Sequence, residues 1–170
     1  MTIASFRFTL AAAALATAFA ALPAAAQTVK IGLISTYSGP GAAQGDQIDK
    51  GVKLYMKMNA DKLPAGVKIE LVQRDDTGAN PDVAKRIAQE LIVRDKVQLI
   101  TGIVWTPNLA AIAPLSTEAK VPVMSMNAAG ARILNAAPYM SRMSFTLCQS
   151  SYPAGLWAAK KIQEGLHRSE

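Results

Sequence analysis

A regular alternation of short apolar runs and amphipathic segments restricts the fold of this chain more than any other feature. Runs rich in Val, Ile and Leu are typical of buried strands, and apolar residues at three- and four-residue intervals are typical of helices on a sheet. Strands that alternate with helices through short links form a parallel sheet covered on both faces. We therefore predict an α/β fold with a doubly wound parallel sheet in the flavodoxin-like order. The predicted strands are residues 29–35, 67–73, 97–102, 121–125 and 139–144.

The first predicted helix repeats apolar residues at helical spacing after a loop rich in Ser, Gly and Pro. Ile48, Val52 and Tyr55 should face the sheet, whereas Asp49 and Lys53 should face solvent. This is the pattern of a surface helix with one face on the core.

Proline marks the starts of two later helices. Asn80-Pro81 and Thr106-Pro107 each place a capping residue before a proline, which is the order that helix starts favour. Pro114 lies inside the second of these helices and should kink it or split it. A last helix is predicted from Gln149 to about Leu166.

The loop after the third predicted strand is the strongest candidate for a ligand site, because ligands of open parallel sheets bind beyond the carboxyl ends of the strands. The Thr106 hydroxyl and the amides of Thr106, Asn108 and Leu109 form a candidate carboxylate site at the positive end of a helix. Trp105 can stack on a flat or bulky apolar group beside it. The alternative is that Trp105 fills the core and Thr106 only caps the helix, and the sequence leaves both open.

The residue types in this sequence give little support for a catalytic site or a metal site. Asp75-Asp76 is compatible with a metal or acid/base pair, but no His or third carboxylate is near, which favours a turn with Asp capping backbone amides. One cysteine, Cys148, and one histidine, His167, exclude an intrachain disulfide, a zinc site and a Cys-His pair. The loop that begins at Gly39 lacks the dinucleotide fingerprint, since Gln44 replaces its third glycine. We predict no catalytic residue, no metal and no cofactor.

The first 26 residues have the composition of a secretory signal peptide. An apolar run follows Arg7, and Ala24-Ala25-Ala26 forms the small-x-small cleavage pattern, with Gln27 as the new N-terminus. The alternative is an uncleaved membrane anchor, for which the run is too short and too rich in alanine. Cleavage predicts an exported protein that works outside the cytoplasm without access to ATP or NAD, which favours binding over cofactor chemistry.

The charge of the chain is mildly basic and dispersed. The 18 Lys and Arg residues against 12 Asp and Glu residues give +6, and Arg7 is the one charged residue of the signal, so residues 27–170 carry +5. No basic stripe is interleaved with aromatic residues, so nucleic acid is not a predicted partner. A positive field can still favour small anionic ligands.

Several segments in order resemble a known family. They are residues 30–40 (KIGLISTYSGP), Gly45-Asp46-Gln47, Gly51-Val52, residues 72–77 (VQRDDT) and Val121-Pro122. Together they resemble the N-terminal lobe of periplasmic type I substrate-binding proteins of ABC importers, in the branched-chain amino-acid (leucine/isoleucine/valine) branch. The resemblance covers residues 29 to about 165.

This resemblance implies a two-lobed protein that closes on its ligand about a hinge. It implies a signal peptide at residues 1–26, an N-terminal ligand-binding lobe at 27–146, and the hinge with the first helix of a truncated second lobe at 147–170. We expect the sequence to be about half of a binding protein. The ligand-binding residues implied by the family are Tyr37, Ser38, Trp105, Thr106, Asn127, Ala128, Ala129, Gln149 and Tyr152.

The function implied is capture of an amino acid or a carboxylate, including an aromatic one, for delivery to an ABC permease in the inner membrane, without catalysis. Trp105 stands where amino-acid binders of the family usually carry a smaller residue, which argues for a larger flat ligand. The alternatives are a ligand-sensing domain of a receptor and a small exported α/β enzyme.

Overall fold

The five predicted strands form one parallel sheet in the computed structural model, which describes residues 27–135 and 137–165. Two 3-10 segments, Gly39–Gly41 and Ala60–Lys62, flank the first helix. The predicted signal peptide, His167 and the end of the last predicted helix lie outside the described residues. The elements in chain order are β1 Gln27–Ser35, α1 Ala42–Met58, β2 Val67–Asp75, α2 Pro81–Val93, β3 Leu99–Gly102, α3 Thr106–Ala119, β4 Val123–Ser125, β5 Met140–Arg142 and α4 Leu147–Gln163.

The strand order places β1 where the direction of winding reverses. The order across the sheet is β2-β1-β3-β4-β5, with every neighbouring pair parallel. Ser35 lies opposite Asp75 at the end of β1 and β2, and Ile34 lies opposite Gly102 of β3. The carboxyl ends of these three strands are therefore side by side, and the crevice between β1 and β3 is the position where such sheets bind ligands.

The main core lies between the sheet and the helices α2 and α3. Ile34 and Ile100 of the sheet, Leu91 of α2 and Ile112 of α3 are fully buried. A Cβ atom on Gly32 would lie 2.8 Å from a methyl group of Leu91, so α2 packs directly on β1. Burial of a side chain of this size contributes about 1.5–3 kcal/mol, and this face therefore anchors the start of α3.

Helix α1 covers the opposite face of the sheet only in part. An open apolar groove of about 660 Å³ lies between them, lined by Ile48 and Val52 of α1 and by Leu71 and Met124 of the sheet, among others. Tyr55, predicted to face the sheet, lines this groove but keeps 70% of its surface exposed. Tyr55 stays exposed because the groove is open on its outer side in the described part of the chain.

Asp49 of α1 does not face solvent as predicted. Its carboxylate accepts a hydrogen bond from the Gln73 side chain of β2 and pairs with Lys53 at 2.8 Å, which leaves the Asp49 side chain 15% exposed. Helix α1 runs close enough to the edge strand for a residue on the flank of the helix to reach β2. Periodicity within one helix cannot reveal this neighbour.

The later elements differ from prediction in length and continuity. Helix α3 runs without a break through Pro114, because a proline removes only one hydrogen bond from a helix that the core supports. β5 is shorter than predicted, since its partner β4 has only three residues to pair with. Helix α4 has no buried residue and leaves Leu156 and Trp157 exposed. Within residues 27–135 and 137–165, no helix has the length and apolar character to cross a membrane.

Candidate functional site

A sharp backbone turn after β3 places Trp105 beside the end of β1. Gly102 has φ +95°, and a Cβ atom there would lie 2.2 Å from the Ile34 carbonyl oxygen, so only glycine fits. Ile103 follows with φ +53°, a conformation that β-branched residues rarely adopt, and its amide donates to the same Ile34 oxygen at 2.7 Å. Strain of this kind concentrates at functional sites, and here it turns the chain toward the crevice.

A chain of buried hydrogen bonds connects this turn to the ends of β1 and β2. The Trp105 indole Nε1–H donates to Thr36 Oγ1 at 2.8 Å, and the Thr36 hydroxyl donates to Asp76 Oδ1 at 2.6 Å. Asn108 Nδ2 donates to Asp76 Oδ2 at 2.8 Å and to the Gly78 carbonyl at 2.8 Å. The side chains of Thr36, Asp76 and Asn108 are fully buried. The sequence analysis named only the backbone amide of Asn108 for the site and favoured a turn role for Asp76. It did not predict that the side chains of Thr36, Asp76 and Asn108 support Trp105.

Asp75 fulfils the capping role that was favoured for the Asp75-Asp76 pair. Its Oδ1 accepts the Tyr37 amide at 2.9 Å and the Thr77 amide at 2.8 Å. Burial alone would raise the pKa of the Asp75 carboxyl, but the bonds from Tyr37, Ser38 and Thr77 outweigh it and hold the pKa below its ordinary value. The described part of the chain contains no group of three His, Cys, Asp or Glu residues able to hold a metal ion.

Helix α3 begins one residue earlier than predicted, at the residue that was expected to cap it. Trp105 is the N-cap and Thr106 the first helical residue. The Leu109 amide, one of the three proposed for the carboxylate site, donates to the Trp105 carbonyl at 3.1 Å and is not available. The Thr106 amide remains in the first turn, where an α-helix has no intrahelical acceptors for its donors, whereas Asn108 is fully buried and its amide is not exposed to a solute. The site therefore keeps one amide of the three and the positive end of the helix.

The Thr106 hydroxyl also has a defined role. Its oxygen accepts the Gly130 amide at 3.0 Å, so its own proton remains to be donated elsewhere. A carboxylate at the start of α3 would receive that proton together with the Thr106 amide. This is a suitable arrangement for an anion, because hydrogen bonds to a charged group are about twice as strong as neutral ones.

The loop after β4 forms the wall next to α3. Ala128 is fully buried, its amide donates to the Ile103 carbonyl at 3.1 Å, and its carbonyl accepts Arg142 Nε at 2.9 Å. Arg142 Nη2 also donates to the Gly130 carbonyl, so one guanidinium holds two points of the loop. Sequence reasoning missed Arg142, because it lies inside the predicted strand 139–144 and its partners belong to another segment. The Ala129 carbonyl accepts the Leu147 amide at 2.9 Å, which joins the loop to α4.

Asn127 lies at the open end of this wall. Its side chain is exposed and lines a cavity of about 380 Å³ with Met126 of the same loop and with Gln44, Gln47 and Ile48 of α1. The cavity opens on the α1 side of the crevice, so Asn127 is free to contact a solute there.

Tyr37 and Ser38 take positions nearer to β2. The Tyr37 phenol accepts a hydrogen bond from Gln73 at 3.4 Å and lines a cavity of about 270 Å³ with Asp49 and Asp75. Burial and then the nearby carboxylates raise the pKa of Tyr37, and the Gln73 bond offsets this only in part. Ser38 is exposed before the first 3-10 segment.

Gln149 and Tyr152 are not brought into the network around Trp105. Gln149 closes a capping box at the start of α4, where its Oε1 accepts the Thr146 amide at 2.7 Å and its amide donates to Thr146 Oγ1 at 3.2 Å. Tyr152 lies on α4 with 71% of its surface exposed. The described site is thus one wall, made by Trp105, Thr106 and the loop after β4.

Comparison with known proteins gives a consistent family. The family model described as periplasmic binding protein matches residues 28–167. A Leu/Ile/Val-binding protein homolog from Brucella abortus is 39% identical over 142 residues, which cover 84% of this chain and 36% of the relative. The chain therefore spans about a third of the length of the curated relatives it matches.

Solved structures share the fold and part of the sequence. A solute-binding protein of an ABC transporter from Rhodopseudomonas palustris in complex with 4-hydroxybenzoate has a TM-score of 0.75 and 42% identity, covering 79% of this chain and 36% of that one. A second, from strain BisB5 in complex with 3,4-dihydroxybenzoic acid, has a TM-score of 0.74 and 51% identity over the same shares. A leucine-binding protein from Thermotoga maritima has a TM-score of 0.72 and 25% identity, covering 79% of this chain and 38% of that one.

Proposed function

The chain belongs to the periplasmic binding protein family, and we propose that it serves an ABC importer as an exported solute-binding component that captures an aromatic carboxylate. The observation that carries this proposal is the juxtaposition of a held indole ring, Trp105, with the donor-rich start of α3. A ring-bearing carboxylate matches both halves of that surface.

The carboxylate end of the ligand is assigned to α3. The Thr106 hydroxyl proton, the Thr106 amide and the helix dipole all favour a negative group. The net charge of +5 over residues 27–170 creates a positive field, which also favours an anionic ligand. A zwitterionic amino acid would use the same donors, so this end of the ligand is common to both classes, and the choice between them rests on Trp105.

The ring of the ligand is assigned to Trp105. Offset stacking of aromatic rings contributes about 0.5–1.5 kcal/mol beyond the apolar area that it buries. Two of the similar solved proteins hold hydroxylated benzoates, which supports a ring-bearing ligand for this chain as well. The Brucella homologs and the Thermotoga protein are named for branched-chain amino acids, which makes leucine the competing ligand.

The wider assembly follows from the family. Proteins of this family in ABC importers are periplasmic, and we infer that residues 1–26 direct export and are removed before Gln27. We assign residues 27–146 to the N-terminal lobe and α4 to the start of a second lobe. The complete absence of buried residues in α4 supports this assignment, because an apolar helix face such as Leu156 and Trp157 requires a cover. Ligand binding would then stabilise a closed form that docks on the permease.

The test compares binding of 4-hydroxybenzoate, 3,4-dihydroxybenzoate and L-leucine to the purified protein by isothermal titration calorimetry. We expect both hydroxybenzoates to bind with a lower dissociation constant than leucine. Thr106→Val should weaken the binding of both hydroxybenzoates by about tenfold, and Thr106→Ser should preserve it. Thr117→Val on the exposed side of α3 is the matched control. Preferential binding of leucine, or no binding of any of the three, would overturn the proposal.

A further inference from the structure

We propose that Asp76 is a positioning residue that makes this site selective for flat rings, because it fixes the Trp105 indole through the Thr36 hydroxyl. The inference rests on the proposed function, since it concerns which solutes the same surface prefers. Asp76 itself is fully buried and contacts no solute. Its effect would pass along the hydrogen bonds that lead to Trp105.

The direction of each hydrogen bond in this chain is forced by chemistry. An indole N–H can only donate, so Thr36 Oγ1 must be the acceptor of the bond from Trp105. The single proton of the Thr36 hydroxyl is then directed to Asp76 Oδ1. If position 76 offered no acceptor, the hydroxyl proton would have to turn elsewhere, and the Thr36 hydroxyl would no longer be fixed in place for Trp105.

Asp76 needs both of its oxygens for this role. Oδ1 accepts the Thr36 hydroxyl at 2.6 Å and the Gly78 amide at 3.1 Å, and Oδ2 accepts Asn108 Nδ2 at 2.8 Å. The orientation of Asn108 is fixed too, because its Nδ2 lies between two acceptors, Asp76 Oδ2 and the Gly78 carbonyl. An asparagine at position 76 has one acceptor oxygen, and it therefore cannot satisfy both sides.

The same edge of the indole is held by packing. A Cβ atom on Gly41 would lie 3.1 Å from Trp105 Cζ2 and 2.9 Å from Thr36 Cγ2, so Gly41 and the Thr36 methyl border that edge closely. Nε1 and Cζ2 belong to one side of the indole. Trp105, which is half-buried, consequently has its polar edge occupied by protein and offers a ring face without a free donor.

A fixed indole gives the site a preference for ligands with a flat ring. A flat ring gains the full stacking contact with a fixed indole, whereas a branched aliphatic side chain contacts either a fixed or a tilted indole about equally well. A ligand hydroxyl receives no hydrogen bond from Trp105, because the N–H is already used. Loss of the hydrogen-bond chain should therefore reduce affinity for aromatic carboxylates more than for leucine.

The experiment uses the fact that the sequence contains two tryptophans, Trp105 and Trp157. Trp157 is 65% exposed, so Trp157→Phe leaves Trp105 as the one indole in ¹H–¹⁵N spectra. In this background, Thr36→Val removes the hydroxyl and keeps the side-chain shape, and Thr36→Ser keeps the hydroxyl as the matched control. Asp76→Ala removes both acceptor oxygens, and Thr36→Val covers the case in which Asp76→Ala does not fold.

We expect Thr36→Val and Asp76→Ala to shift the indole proton signal upfield and to accelerate its exchange with solvent. The preference for 4-hydroxybenzoate over L-leucine, as a ratio of dissociation constants, should fall about tenfold in both, whereas Thr36→Ser should stay within about twofold. An unchanged indole signal, or equal loss of affinity for both ligands, would overturn the proposal. If the Trp157→Phe parent binds neither ligand, the proposed function and the selectivity fail together, while the indole signal still decides whether Asp76 positions Trp105.

Discussion

The Thr106 hydroxyl accepts the Gly130 amide at 3.0 Å, and this contact joins the start of α3 to the loop after β4. The approach is so close that a Cβ atom on Gly130 would lie 2.4 Å from Thr106 Cγ2. Gly130 and the Thr106 hydroxyl therefore join the loop after β4 to the start of α3, and the two segments, which are separate in sequence, form one continuous wall.

We predict that Gly130→Ala destabilises the protein by about 1–3 kcal/mol, the usual cost of excess volume in a packed site. Thr106→Ser should recover part of this loss, because it removes the Cγ2 atom that the new methyl group meets. Urea unfolding of the two single variants and the double variant measures the coupling between the positions. Gly155→Ala, where no atom lies within 4 Å of the added Cβ, is the control. Additive effects of the two substitutions would contradict the contact.

Gly45 of α1 is predicted to tolerate no side chain. A Cβ atom there would lie 1.8 Å from the Thr36 carbonyl oxygen, which is backbone and adjoins the hydroxyl that holds Trp105. We expect Gly45→Ala to destabilise the protein by at least about 3 kcal/mol, above the usual range for overpacking. The measurement is the free energy of unfolding in urea.

A matched control for Gly45 exists in the same helix. Gly51 has no atom within 4 Å of an added Cβ, so Gly51→Ala should stabilise by up to about 1 kcal/mol through helix propensity alone. Equal effects of the two substitutions would show that α1 does not approach β1 as closely as described.

The pKa of Asp75 predicts a pH-dependent contribution to stability. Hydrogen bonds lower its pKa in the folded protein from the ordinary value of 3.8, so its contribution is fully present above that value and is lost as the pH falls through the lower folded pKa. Asp75→Asn should therefore reduce stability by a constant amount at pH 5–7, and the difference from the parent should shrink below about pH 3.8. Thermal unfolding over this pH range measures it, with Asp61→Asn on an exposed 3-10 segment as the control. A difference that grows toward acid pH would refute the assignment.

The architecture was readable from the sequence because it depends on local signals. Apolar runs, helix periodicity and proline after Asn80 were enough to predict five strands, the parallel sheet and the start of α2. The capping role of Asp75 was also predictable, because its contact with the Thr77 amide is two residues away and follows from turn chemistry.

The interior of the site was not readable, because its contacts are distant in sequence. Trp105 and Thr36 are 69 residues apart, and Asn108 and Asp76 are 32 apart. No periodicity encodes such pairs, since they depend on the order in which the strands assemble. The same reason explains Asp49, whose partner Gln73 belongs to a strand that the helix crosses only in the folded protein.

Arg142 provides the last prediction, because it holds the loop after β4 by hydrogen bonds from two nitrogens to the carbonyls of Ala128 and Gly130. A lysine has the same charge but presents a single nitrogen without the planar fork, so Arg142→Lys should release one of the two carbonyls. We expect faster amide hydrogen exchange across residues 127–130 and severalfold weaker binding of 4-hydroxybenzoate. Arg86→Lys is the control, since Arg86 makes an exposed ion pair with Glu90 that contributes only about 0.3–0.5 kcal/mol. Unchanged exchange in the loop would mean that the guanidinium does not hold it, and the rigidity of this wall would then have to come from its contacts with Thr106, Ile103 and Leu147.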